Sequence, residues 1–77
     1  MSRPLDVLTA ALNKKVILKV RGQREIRGIL RSYDPHLNLY LEEAEMIYPP
    51  KEEEEAIIES LGNIILRGDN VILISPP

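Results

Sequence analysis

The residues with the most chemical potential in this chain fall in two short segments. The first, SYDPHLNLYL (32–41), holds Asp34, Pro35, Asn38 and the single histidine, His36. The second, ILRGDNVILI (65–74), holds Arg67, Gly68, Asp69 and Asn70. His36 offers a flat π face and Arg67 a second plane that also carries charge. Planes of this kind stack on the unpaired bases of single-stranded RNA, and each stacked base contributes ~1–3 kcal/mol. Asn38 brings a donor and an acceptor, enough to read one base edge. Asp69 could orient Arg67 or accept from a base N–H. The same residues also make ordinary turns. Asp34 can close an Asx-turn, Pro35 and Asn38 suit it, and Arg-Gly-Asp-Asn can be turn chemistry alone, with Gly68 supplying a positive φ. On spacing alone the turn reading is the more economical. Catalysis fits poorly: the lone Asp34-x-His36 pair has no nucleophile beside it, and there is no cysteine and no glycine-rich phosphate loop. No enzyme activity and no cofactor are expected. No metal is expected either, because one histidine without cysteine cannot build a zinc site. The glutamates at 52–55 lack the spaced ligands and turn glycine of a calcium loop.

Two turns can share a ligand only if the surrounding elements bring them together. Residues 3–15, RPLDVLTAALNKK, predict a helix over about 4–13. Pro4 suits its first turn, and Asp6 complements the helix dipole there. Leu5, Leu8 and Leu12 form one apolar stripe. Asn13 with Lys14 and Lys15 supplies the stop. Such a helix would cover an open end of a β core. KVILKVR (15–21) predicts a strand with Val16, Leu18 and Val20 on one face. Gly22-Gln23 reads as a type II′ hairpin connection. REIRGILRSY (24–33) returns as a second strand, with Gly28 marking a bend. A third strand covers 39–47. Residues 48–60, with two prolines and five glutamates, read as a solvated acidic loop or hairpin extension. Residues 61–66 and 71–74 are apolar at nearly every position, which implies burial on both faces or an edge that pairs with something else. Five short antiparallel strands in a meander can curl into a small open barrel. In a meander, alternate turns emerge at the same end, so turns 34–38 and 67–70 belong together.

Seventy-seven residues make one domain, and a chain this short has a marginal core of its own. It contains no Cys, Phe or Trp, so Val, Ile and Leu must build the interior without disulfides. Self-association is the remaining route to stability. An open barrel leaves two strand edges. If one edge pairs with the opposite edge of a neighbour, the contact is head-to-tail and a suitable rotation closes a ring. The net charge of −2 hides an uneven distribution. Five of the twelve acids and one of the ten bases lie in residues 50–60; the remaining nine basic and seven acidic residues carry a net +2. A mildly basic body suits a polyanion better than the total suggests. No apolar run approaches the ~20 residues that cross a bilayer, and no secretory signal is evident. Absence of cysteine fits a cytoplasmic location.

At this point the two segments resemble a known family. GILRSYDPHLNLYLEEAE (28–45) is similar to the first signature of the Sm and Sm-like (LSm) proteins, and ILRGDNVILI (65–74) to the second. The resemblance spans about residues 4–75 and looks most like the archaeal Sm-like proteins. It implies a mostly β fold, an N-terminal α-helix followed by a five-stranded, strongly bent antiparallel SH3-like open barrel. It divides one domain, 1–77, into the helix, a first motif at about 15–47, a variable acidic loop at about 48–60 and a second motif at about 61–75. It implies a homo-oligomeric ring, most often a heptamer, closed between the fourth strand of one subunit and the fifth of the next. It also implies binding of U-rich single-stranded RNA at the inner rim of the pore, in RNA processing and ribonucleoprotein assembly. Carried over, the base stacks between His36 and Arg67, Asn38 bonds its edge, Asp69 and Asp34 hold these side chains, and Gly68 keeps the second turn tight. Expected partners are RNA, further copies of the chain and possible RNA-processing proteins, with no membrane. The alternative is a scaffold ring that works through protein contacts, using the acidic loop at 51–59.

Overall fold

The structure, a computed structural model, describes residues 4–52 and 54–75; Arg3, Glu53 and the Pro76-Pro77 end lie outside the described residues. A helix, α1 (Pro4–Ala11), precedes five strands: β1 (Lys15–Val20), β2 (Arg24–Tyr33), β3 (Leu39–Tyr48), β4 (Ile57–Leu66) and β5 (Val71–Ser75). They form one bent antiparallel sheet in the order β4-β3-β2-β1-β5, so β4 and β5 are its two edges. That placement answers the question raised by the apolar runs in the last two strands: both are edges.

Alternation builds the interior. Val16, Leu18 and Val20 of β1 face Ile26 and Leu30 of β2 and Leu39, Leu41 and Ala44 of β3, and all are buried. Gly28 makes the bend possible. A Cβ there would sit 3.3 Å from the Ala44 Cα, the Glu42 carbonyl oxygen and the Leu41 Cβ, and the β2–β3 register slips between Arg27 and Ile29. Opposite it, Glu43 takes a positive φ of 52° and the β3–β4 register shifts on both sides of Ala44. Bulges of this kind sharpen the local bend of a sheet.

The helix differs from expectation in two respects. It ends at Ala11 rather than near 13, because Asn13 adopts φ 65°, the left-handed geometry that terminates helices. The Asn13 N–H instead donates to the Leu30 carbonyl at 2.7 Å, and the Leu30 N–H donates to the Lys14 carbonyl. The buried face is Leu8 and Ala11 with Leu12 packed against it, whereas Leu5 is exposed. The small Ala11 allows the closer approach. Tyr33, at the end of β2, donates its hydroxyl to the Leu5 carbonyl and meets the Thr9 hydroxyl. Arg31 bridges the Asn13 side chain at 2.8 Å and Glu42 at 3.0 Å. The helix is thereby tied to the strand that leads into the 34–38 turn.

The β1–β2 connection has positive φ at both Gly22 (86°) and Gln23 (59°). That is the type I′ pattern rather than the expected type II′, which needs it at the first central residue only. The acidic segment is also shorter than expected. Tyr48 pairs with Ile57 and Ile47 with Ile58, so the hairpin extends into the segment from both sides and the connection is 49–56 rather than 48–60. Two β-branched isoleucines opposite Ile47 and Tyr48 outweigh the like-charge run beside them, and the Tyr48 hydroxyl donates to Glu59 at 2.9 Å across the pair. That hydrogen bond and the Glu59 charge push the Tyr48 hydroxyl above its usual range.

Candidate nucleic-acid interface

The 34–38 turn is organised by one carboxylate. Asp34 Oδ1 accepts the backbone N–H of His36 at 2.9 Å and of Asn38 at 3.0 Å. Asp34 Oδ2 accepts the Asn38 side-chain amide at 2.9 Å. The main chain closes around it: the Leu37 N–H donates to the Asp34 carbonyl and the Asp34 N–H to the Asn38 carbonyl. Leu37 takes φ 63° and packs half-buried on the core, which throws the neighbouring His36 side chain outward, exposed. The Asn38 hydrogen bonds, above all that from its side chain, hold the Asp34 carboxyl below its ordinary value of 3.8, with His36 adding to the effect. The Asx-turn seen as a rival to a binding site is therefore present, and it is what aims His36 outward.

The second turn seats on the first. Arg67 is extended (φ −75°, ψ 138°) and Gly68–Asn70 form a short 3-10 turn. The Gly68 N–H donates to Asn38 Oδ1 at 2.9 Å. The glycine is required for a different reason from the one expected. Among the described residues, the glycines with positive φ are Gly22 and Gly62, not Gly68. A Cβ at Gly68 would instead fall on the His36 carbonyl oxygen and within 3.0 Å of the Leu37 carbonyl group. The two turns meet backbone on backbone, and only hydrogen fits between them. Arg67 Nη2 lies 3.3 Å from Asp69 Oδ2 with both side chains largely in solvent; such a pair contributes little stability but does orient the guanidinium.

The structure thus brings Asp34, His36, Asn38, Arg67, Gly68 and Asp69 to one end of the sheet, where Leu39 pairs with Leu66. Asn38 is more engaged than expected: one amide N–H is given to Asp34 and one carbonyl lone pair to Gly68. One donor and one acceptor position remain. A residue not singled out by the sequence also touches the site. Arg21 Nε donates to the Asp69 carbonyl at 3.3 Å and its backbone N–H to the Asn70 carbonyl at 3.3 Å. Barrel closure carries it there, because Val20 pairs with Val71; nothing local in VRGQR announces it. Among the described residues, no three His, Cys, Asp or Glu side chains gather closely enough to hold a metal ion, and no helix is long and apolar enough to cross a membrane.

Known proteins share this sequence pattern and fold. The LSM domain family matches residues 6–76. An snRNP Sm-like protein of Methanococcoides burtonii is 45% identical over 75 residues, covering 97% of each chain. Among solved structures, the Pyrococcus abyssii Sm protein in complex with a uridine heptamer is 43% identical with a TM-score of 0.83, over 99% of this chain and 100% of that one. The P. aerophilum SmAP1 heptamer is 39% identical with a TM-score of 0.82, over 100% and 96%. With a family model over residues 6–76 and relatives and solved folds matched along nearly the full length, the chain belongs to the LSM family of Sm-like proteins.

Proposed function

We propose that the protein assembles into a homo-heptameric ring that binds single-stranded U-rich RNA at the inner rim of its pore, without catalysing a reaction, in RNA processing or ribonucleoprotein assembly. Support for the ring comes from the heptameric P. aerophilum relative and from two sheet edges, β4 and β5, left open in one chain. Support for the ligand comes from the P. abyssii relative, whose complex holds a uridine heptamer.

The observation that carries the reading is the double lock on Asn38. Its amide nitrogen faces a carboxylate and its oxygen faces an N–H, so the side chain cannot flip without placing like against like. What it offers to a base is therefore one N–H and one oxygen in fixed order. Uracil presents a carbonyl oxygen beside a ring N–H and matches that order. Cytosine presents an amino group beside a bare ring nitrogen and would need the reverse. His36 and Arg67, carried on the two locked turns, supply the stacking planes, and Asp69 steadies Arg67.

The test is a His36→Ala/Arg67→Ala double variant titrated with oligo-U, oligo-A and oligo-C, with assembly followed by native mass spectrometry. Losing stacking at ~1–3 kcal/mol per base predicts an oligo-U affinity roughly tenfold to hundredfold weaker, with the ring intact. Unchanged affinity would overturn the site. Wild-type indifference to all three oligonucleotides would favour a scaffold acting through protein contacts.

A further inference from the structure

The two edges of the sheet are unequal. β4 has ten residues and β5 has five. In the proposed ring, the outer edge of β4 pairs with β5 of the next subunit. Every subunit turns its slot to the pore, so that pairing starts at the slot end. There Leu66 closes β4 beside Leu39, and the 68–70 turn opens into β5. Five residues laid antiparallel from Leu66 cover at most half of β4. The ladder stops after Ser75, because Pro76 and Pro77 lack the N–H that it needs. The half of β4 farthest from the slot, residues 57–60, keeps an open edge.

That half is regular strand. Its four pairs with β3, from Glu45 with Ser60 to Tyr48 with Ile57, run without a register shift, and the Tyr48 hydroxyl donates to Glu59 at 2.9 Å across them. Exposed edges are commonly blunted by Lys, Pro or a bulge; residues 57–60 have none of these. All four are exposed, Ile57 by 65% and Ile58 by 60%. Successive strand residues point to opposite faces, so apolar surface lies on both. Ile57 continues Tyr48 and Ile58 continues Ile47, each only half-buried. A strand laid along this edge would cover both isoleucines and satisfy the open N–H and C=O groups.

Charge decides what kind of strand fits. Glu52, Glu54, Glu55 and Glu59 are exposed around the edge, and Lys51 is the lone base in 49–60. A second copy of this edge would set glutamates against glutamates, which destabilises a strand pair. RNA phosphates meet the same repulsion, whereas a basic chain is attracted. We propose that the 57–60 edge takes up an extended basic segment of a partner protein as an added β-strand, with Lys or Arg alternating with aliphatic residues. Main-chain hydrogen bonds supply affinity in such an addition, and the alternating side chains supply specificity. The inference rests on the proposed ring, which fixes where the free edge begins, and is independent of the base slot.

The probe is a labelled peptide of alternating Lys and Val, titrated into the ring by fluorescence anisotropy. Native mass spectrometry follows assembly, and amide exchange is read residue by residue. Binding should slow exchange at 57–60 and leave 61–66 as they were. Ile57→Ser/Ile58→Ser should weaken the peptide roughly tenfold through lost apolar burial, with the ring intact and oligo-U affinity unchanged. Glu54→Lys/Glu55→Lys should weaken it at low salt and approach wild type at high salt, where charges are screened. A peptide of the same charge with Pro-Pro at its centre should bind roughly tenfold more weakly, because it cannot complete the ladder. Equal binding of that peptide would leave charge attraction alone and overturn the proposal. So would equal binding of an alternating Glu and Val peptide. Peptide binding that splits the ring would also overturn it, by making 57–60 part of the subunit contact. Rings that pair at neutral pH and separate in the Ile57→Ser/Ile58→Ser variant would assign the edge to a second copy instead. An intact ring that binds no basic peptide overturns this inference alone. A chain that forms no ring overturns the proposed assembly and this inference with it.

Discussion

The three central strands and the β4 edge are both rich in aliphatic residues, yet their burial is opposite. Leu18, Leu30 and Leu41 are 0% exposed, whereas Ile57, Ile58 and Ile65 are 65%, 60% and 75% exposed. Burying a branched aliphatic side chain is worth roughly 1.5–3 kcal/mol, so β4 withholds stabilisation that its composition offers. The strand is an unpaired edge as well, with open N–H and C=O groups along its length. A single chain therefore completes one face of its chemistry and leaves another for a neighbour, as the proposed ring requires.

That contrast can be broken most directly with Leu41→Ala and Ile65→Ala in dilute, dispersed chains. Leu41→Ala should cost ~2–5 kcal/mol by denaturant unfolding, through lost transfer energy and a cavity. Ile65→Ala should stay within about 0.5 kcal/mol there, while the fraction assembled on native mass spectrometry falls at higher concentration. A matching loss from both variants in dispersed chains would mean that β4 is buried within its own subunit. Gly68→Ala probes the seam between the two turns. Its Cβ meets main chain, which yields less readily than a side chain, and overpacking of this kind costs ~1–3 kcal/mol. Oligo-U affinity should fall with it, whereas a variant of wild-type stability and affinity would show that the turns are not in contact.

The smallest effect is acid titration of the 34–38 turn. The folded Asp34 carboxyl ionises below its ordinary value of 3.8, so its contribution is fully present above that value. It is lost as pH falls through the lower folded value, where the carboxylate takes up a proton. Stability curves of wild type and Asp34→Asn should run apart from neutral pH down to about 4 and converge only below it. Convergence at neutral pH would remove Asp34 as the organiser of the turn.

Much of this architecture was legible in the amino-acid sequence. β1 and β2 fall within one residue of expectation because alternating Val, Ile and Leu bounded by Gly22 and Asp34 leave few other options. The last two strands read as apolar on both faces, which left burial and an edge as alternatives; the structure places both at edges. The end of the acidic loop was misplaced because the glutamate run obscured Ile57 and Ile58, whose strand character depends on Tyr48 and Ile47 across the hairpin. Gly68 was singled out partly for a positive φ that it does not adopt. A local pattern can suggest a φ angle, whereas the His36 carbonyl that forbids a side chain there arrives from 32 positions away in sequence. Arg21 was missed on the same grounds. Contacts made by barrel closure leave no trace in nearby residues.

The hydrogen bond from Gly68 to Asn38 spans 30 residues of chain, which gives the proposed base slot a place in folding order. Contacts of long sequence separation form late, since the intervening loop must close first. The β2–β3 hairpin can build the 34–38 turn early, but Asn38 remains half-fixed until β4 docks and delivers the second turn. A chain with its last strands frayed would keep its leucine core and have no slot. Bound RNA would then act as a clasp on the final step, drawing the population toward closed barrels in proportion to its occupancy.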